Sequence, residues 1–173
     1  PILWRPGCPV ALADLRLVRA DHWGFDNREH QGEVIVHADA ARGIVHVLRA
    51  LWQARFPIER MEPTNTYTGP DAAVAMNFTT ALNCRSVRGQ PGVWSEHSYG
   101  RAIDINPVRN PYIASSGVIL PIGAEPYANR SLRSTGMIRA DDVVVRAFAS
   151  IGWEWGGAWS DPIDYQHFSA TGR

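Results

Sequence analysis

A chain of 173 residues with 45 % hydrophobic and 20 % charged residues has an ordinary globular composition, long enough for one domain with a substantial core. Its 17 basic and 17 acidic residues cancel, which argues against the electrostatic footprint of a nucleic-acid binder. No apolar run approaches the roughly 20 residues of a membrane-spanning helix. All of the basic residues are arginine, which codon usage in a G+C-rich genome explains.

In chain order, residues 1–31 are rich in Pro, Gly and charge and read as an irregular arm with short extended pieces. The segment GEVIVH (32–37) reads as a strand, with β-branched Val34, Ile35 and Val36. Asp39 fits an N-cap. Ile44, Val45, Leu48, Leu51 and Trp52 follow at helical spacing, so 40–55 is the firmest helix. FPIERM (56–61) reads as a short strand opened by Pro57. PTNTYTGPDAA (63–73) is loop chemistry, 80–86 a strand carrying Cys84 and Arg85, and Gly89 to Gly92 a turn. Residues 101–106 alternate as a strand.

From Asn106 to Arg133 four prolines punctuate a long loop, the kind that usually serves a function, here as a cleft wall or a lid. Asp141 or Asp142 caps a second helix over 142–151, which Gly152 ends. DYQHFS (164–169) is a last strand entered from a loop at Pro162. Helices and strands mix without a βαβ rhythm, so the fold class is α+β over a single domain, 1–173. Cys8 and Cys84 have no Cys-x-x-Cys spacing. They fit a disulfide of an exported protein or two buried thiols, and the disulfide is the working expectation. No signal-peptide pattern is read at the N-terminus.

The chemistry concentrates in SEHSYGRAIDI (95–105). Strand periodicity sets Ala102, Asp104 and Asn106 on one face and Ile103 and Ile105 on the other. The isoleucines anchor a core, and Ala102 leaves space beside the carboxylate. On an ideal strand His97 and Asp104 would oppose each other, but a bend at Gly100 brings them together. Asp164 and His167, three apart, share a side only if Asp164 lies in the loop and His167 in the strand. Two imidazoles and one carboxylate make a sensible zinc shell with an open fourth position. Spacing alone also allows a structural carboxylate at a strand end, and both readings stand at this point. His22, His30, His37 and His46 have no ligand-like companions and read as surface or core residues. Trp153, Trp155 and Trp159 cluster before Asp164, as core or as an aromatic wall for a peptide or sugar.

Ser95-x-His97-x-x-Gly100-x-Ala102-x-Asp104 resembles the first motif of the D-alanyl-D-alanine carboxypeptidase and L-alanyl-D-glutamate endopeptidase family of zinc peptidases. Asp164-Tyr165-Gln166-His167 is similar to its second motif. A looser likeness runs over 80–169 and includes NPY after the metal strand and GWEWGG before the last strand. Residues 1–60 carry no motif of the family, whose fold relatives include lysostaphin-type peptidases and the hedgehog domain. The resemblance implies a small antiparallel sheet with one zinc ion on one face and helices on the other. It implies His97, Asp104 and His167 as ligands and Asp164 as general base.

Arg85 would steady the oxyanion, with a salt-bridged arginine as the other reading. Ser95 would bind substrate or hold the shell from behind, against a plain turn serine. Glu96 reads as a solvated charge. The implied partner is a peptidoglycan stem peptide, met by a monomer that is secreted, periplasmic or wall-associated. Endopeptidases of the family commonly carry aspartate at the base position, which tilts Asp164 towards L-alanyl-D-glutamate cleavage. The rivals are D-alanyl-D-alanine carboxypeptidase activity and a non-catalytic wall-binding or signalling module that keeps the zinc site.

Overall fold

A computed structural model describes residues 3–63 and 76–172. Most of the loop expected at 63–73 lies outside these residues. The described part is α+β, with two α-helices and several small sheets.

The chain opens with a hairpin of β1 (Leu15–Trp23) and β2 (Glu29–His37), in register from Leu15 opposite His37 to Trp23 opposite Glu29. The expected irregular arm is thus corrected: 15–31 is largely strand. Only Val18 and His22 are buried along β1, so its sequence lacks the alternation that marks a half-buried strand. On β2 the alternation is clean, with Val34 and Val36 inward. Helix α1 (Ala38–Gln53) then buries Ile44, Val47, Leu48 and Leu51 against the hairpin.

Its N-cap is His37, not Asp39: His37 Nδ1 accepts from the Asp39 amide at 3.2 Å. Asp39 lies instead in the first turn, where a carboxylate complements the helix dipole, and meets Arg101 at 2.6 Å.

Short pieces follow. Strands β3 (Arg60–Met61) and β4 (Phe78–Thr79) pair in parallel. FPIERM is therefore strand only at its end. Strands β5 (Ser86–Val87) and β6 (Gln90–Trp94) form a hairpin around Arg88 and Gly89, at the start of the expected turn. The strand expected over 80–86 is mostly coil, because its backbone groups bond to scattered partners, Asp104, Ile35, His97 and Leu3, rather than to one ladder.

The sheet that matters for function has the order β10 (Glu154–Trp155), β12 (His167–Ser169), β7 (Ala102–Asp104), all antiparallel. Ile103 and Phe168 point into the core shared with α1 and with α2 (Val143–Ala149), and Phe168 stacks on Phe148 at 4.1 Å. Burying side chains of this size stabilises by about 1.5–3 kcal/mol each relative to exposure. Asp142 caps α2 and Gly152, at φ 78°, follows its end, as the sequence indicates.

The third sheet, β11 (Ile163–Asp164), β8 (Tyr112–Ile113), β9 (Ile119–Leu120), draws part of the long 106–133 segment against Asp164 as a wall. Asn110 is fully buried and pins this segment. Its side chain donates to the Ile105, Asn106 and Gly136 carbonyls and accepts from the Ile138 amide at 2.7 Å. The single strand expected at 164–169 is two strands of different sheets, split at Tyr165 and Gln166. There the Tyr165 amide turns to Pro111 and the Gln166 carbonyl accepts from Ile105.

A disulfide joins Cys8 to Cys84, beside a small satellite core of Leu3, Val10 and Leu82. Among the described residues no helix is long and apolar enough to cross a membrane.

Candidate metal centre

Ser95 follows β6 and caps a short 3-10 turn, Glu96–Tyr99, with its hydroxyl accepting from the His97 amide at 3.4 Å. Gly100 closes the turn at φ 69°, ψ 24°, a left-handed conformation that glycine adopts without strain. A Cβ there would lie 2.6 Å from the His37 amide nitrogen, so close backbone approach also demands glycine. The bend read from the sequence is therefore present, and it returns His97 over β7.

Asp104 lies on β7, the end strand of its sheet, with Thr80 bridged to its outer side. Its backbone exchanges hydrogen bonds with Thr80 on one side, and Asp104 is paired with His167 on the other.

The three side chains converge. His97 Nε2 lies 3.1 Å from Asp104 Oδ1 and 3.2 Å from His167 Nδ1, and His167 Nδ1 lies 3.0 Å from Asp104 Oδ1. A tetrahedral ion with bonds of about 2.0–2.1 Å has ligand edges of about 3.3–3.4 Å. The triangle thus matches one face of such a shell, and these residues form a group able to hold a metal ion.

The donor chemistry fits as well. His97 Nδ1 is 2.6 Å from the Ala81 carbonyl, which can only accept, so the ring's proton sits there. A neutral His97 then offers only a lone pair at Nε2, towards a carboxylate oxygen. One cation satisfies that lone pair and its two neighbours together. Burial pushes the Asp104 carboxyl up, but the positive charge of His97 and His167, when these rings are protonated, outweighs it and holds the carboxyl well below the ordinary carboxylate range.

Asp164 adjoins this cluster. It pairs with Tyr112 across β8 and β11, and its Oδ1 is buried with no hydrogen-bond partner. Burial first, then the Asp104 charge, push its carboxyl up to about 7. Gly156 backs it closely: a Cβ there would lie 2.7 Å from the Asp164 carbonyl and 3.3 Å from His167 Cβ. Asp164 and His167 share a side because the Tyr165–Gln166 turn breaks strand parity. Asp164 itself is in a strand, not in the loop expected for it.

Of the tryptophans, Trp153 is core and stacks on Phe148, while Trp155 stacks on Phe168 and donates to the Tyr165 carbonyl at 2.9 Å. Of the three, Trp159 borders the cluster, 5.5 Å from the His167 ring.

Arg85 is exposed, and its guanidinium bonds the Ser86 carbonyl at 3.3 Å. Its backbone is bound to Ser98, next to His97. Ser95 is buried and occupied as a cap, which is the turn-serine arrangement. The remaining histidines are elsewhere: His22 is buried in the hairpin, His30 meets Asp26, His37 caps α1 and His46 is exposed on it.

Sequence reasoning missed the segment 80–85, which wires the site almost entirely through its backbone. Thr80 holds Asp104, the Ala81 carbonyl orients His97, and Asn83 donates to the His97 carbonyl. Backbone contacts leave no side-chain signature to find. Tyr112 was signalled only loosely, by the NPY triplet.

Residues 88–170 match a family model described as D-alanyl-D-alanine carboxypeptidase. Through this segment, a little under half of the chain, the protein is similar to that peptidase family. The peptidase segment holds His97, Asp104, Asp164 and His167, whereas Arg85 and Cys84 precede it. At the level of the family, the activity is peptide hydrolysis in bacterial peptidoglycan. Comparisons with curated proteins and with solved structures give no significant match.

Proposed function

We propose that the protein is a zinc-dependent hydrolase of peptidoglycan stem peptides, cutting between L-alanine and D-glutamate. The convergence of His97, Asp104 and His167 beside Asp164 carries this reading. Zinc, when held by those three residues, supplies Lewis acidity to the scissile carbonyl and to water. Asp164 takes the proton of the attacking water on its unpartnered oxygen and passes it to the leaving amine. Gly156, without a Cβ, leaves room for the Asp164 backbone and Cβ to sit close beside His167. Arg85 meets the developing oxyanion after leaving the Ser86 carbonyl, which its exposure permits. Tyr112 and Trp159 flank the stem peptide. An aspartate rather than a glutamate at position 164 is the feature that favours the endopeptidase. The Cys8–Cys84 disulfide supports work outside the cytoplasm, as a monomer on the wall.

The second reading is removal of the terminal D-alanine, favoured by the description of the matching family model. Purified peptidoglycan digested with the protein and analysed by mass spectrometry separates the two. New ends at D-glutamate are expected, and release of free D-alanine alone would replace the first reading with the second. No product, with wall binding retained, would leave a binding module. Metal analysis accompanies the digest, with about one zinc per chain expected.

A further inference from the structure

A second concave site lies away from the metal cluster, where the end of the β1–β2 hairpin meets the C-terminal end of α1. It is a groove of about 550 Å³ lined by Trp23, Arg28, Glu29, Trp52, Gln53 and Arg55, within the size of ordinary ligand sites. Both indole N–H groups are spent on the protein: Trp23 donates to the Trp52 carbonyl at 3.1 Å and Trp52 to Glu29 Oε1 at 3.0 Å. The indoles are thereby fixed in orientation: the Arg55 guanidinium lies over the Trp23 ring, and Trp52 offers exposed ring surface rather than its N–H group. Trp52 is 38 % exposed although it is large and apolar. The rest of the lining consists of planar polar groups, two guanidinium, one carboxylate and one amide, with no aliphatic residue among them.

Arg55 adds an independent sign. It follows α1 at φ 54°, the left-handed position that usually takes glycine or asparagine. Its guanidinium lies 4.3 Å from the Trp23 ring centroid. A side chain kept at a backbone-strained position, and laid on a tryptophan, points to use of that side chain.

We propose that this groove binds the saccharide strand of peptidoglycan, a β-linked oligomer of N-acetylated hexoses. The inference rests on the wall-peptidase reading above. The C–H face of such a sugar stacks on an indole. Its hydroxyl and N-acetyl groups pair with planar donors and acceptors of both kinds. The near balance of two arginines against one glutamate suits a ligand without strong charge. An acyl chain would find no aliphatic anchors here. The groove is also joined to the catalytic strand: the Ile58 amide bonds the Trp23 carbonyl at 2.7 Å, and Asn106, two residues beyond Asp104, donates to the Pro57 carbonyl at 2.9 Å.

The test titrates the whole protein with chitohexaose and follows tryptophan fluorescence. Saturable quenching is expected, weakened at least about tenfold in Trp52→Ala and severalfold in Arg55→Gly, with metal content and hydrolysis of a soluble stem peptide unchanged. Glycine relieves the backbone at 55, so Arg55→Gly carries the test if Trp52→Ala does not fold. No saturable quenching, or the same affinity in both variants, would overturn the proposal. So would a groove that binds the soluble stem peptide in place of chitohexaose. A protein that binds chitohexaose but cuts no stem peptide would sink the peptidase reading and leave the saccharide site standing.

Discussion

Asp164 keeps a buried carboxylate oxygen without a hydrogen-bond partner, next to a cluster whose own acid, Asp104, is engaged by two imidazoles. An unpartnered buried oxygen is costly, on the order of 1–3 kcal/mol, and is retained here beside a candidate metal centre. An asparagine in its place would have nearly the same shape and could not take a proton. Asp164→Asn is therefore expected to keep about one zinc per chain while turnover falls by about 10²–10⁴-fold, the usual share of a general base. Zinc stoichiometry and initial rates on a soluble stem peptide measure both. Near-normal rates would remove Asp164 from the proton transfer. His97 shows the complementary logic. Its role depends on Nδ1 being held by the Ala81 carbonyl, and no side chain in that segment announces it.

At the scale of elements, the Glu96–Tyr99 turn and β7 form one unit hinged at Gly100. Gly100 faces the backbone of His37 and Val36, whereas Gly89, also left-handed, has nothing near its missing Cβ. Gly89→Ala should cost only the conformational penalty, roughly 1 kcal/mol. Gly100→Ala adds a backbone clash, so its loss of stability should be at least about twice as large, with weaker zinc binding. Urea midpoints of the two variants, with a chelator competition for zinc, make the comparison. Equal midpoints would mean that the close approach to His37 does not decide the glycine.

This hinge was legible in the sequence, because a positive φ and a crowded Cβ leave a glycine as their trace. The division of 164–169 into β11 and β12 left none, since Tyr165 and Gln166 suit a strand as well as a turn. Their partners, Pro111 and Ile105, lie some fifty to sixty positions earlier in the chain.

For the molecule as a whole, the disulfide closes a span of 76 residues and secures the strip 80–85 that backs both His97 and Asp104. A loop of that length corresponds to about 4–5 kcal/mol in the chain-entropy estimate, an upper figure for what the bridge contributes. The Cys8→Ser, Cys84→Ser protein should unfold at a markedly lower temperature, by roughly ten degrees or more at about 2–4 °C per kcal/mol. It should also release zinc more readily. Calorimetry and chelator competition, each against the oxidised protein, test this. A loss of melting temperature without any change in zinc release would confine the bridge to stability.

The sequence alone determined the α+β class, the α1 and α2 helices, the bend at Gly100 and the four side chains His97, Asp104, Asp164 and His167. Each of these leaves a mark in residue type or spacing: apolar periodicity, a cap, a glycine, a pair of motifs. Tertiary structure decided the rest. It made residues 15–31 a strand hairpin with a mostly exposed face and set His37 rather than Asp39 as the cap of α1. It drew the coil at 80–85 against His97 and Asp104, and it buried Trp153 while leaving Trp52 exposed. These outcomes depend on backbone hydrogen bonds and packing between residues far apart in the chain. Such contacts are made by groups every residue carries, so composition and spacing hold no record of them.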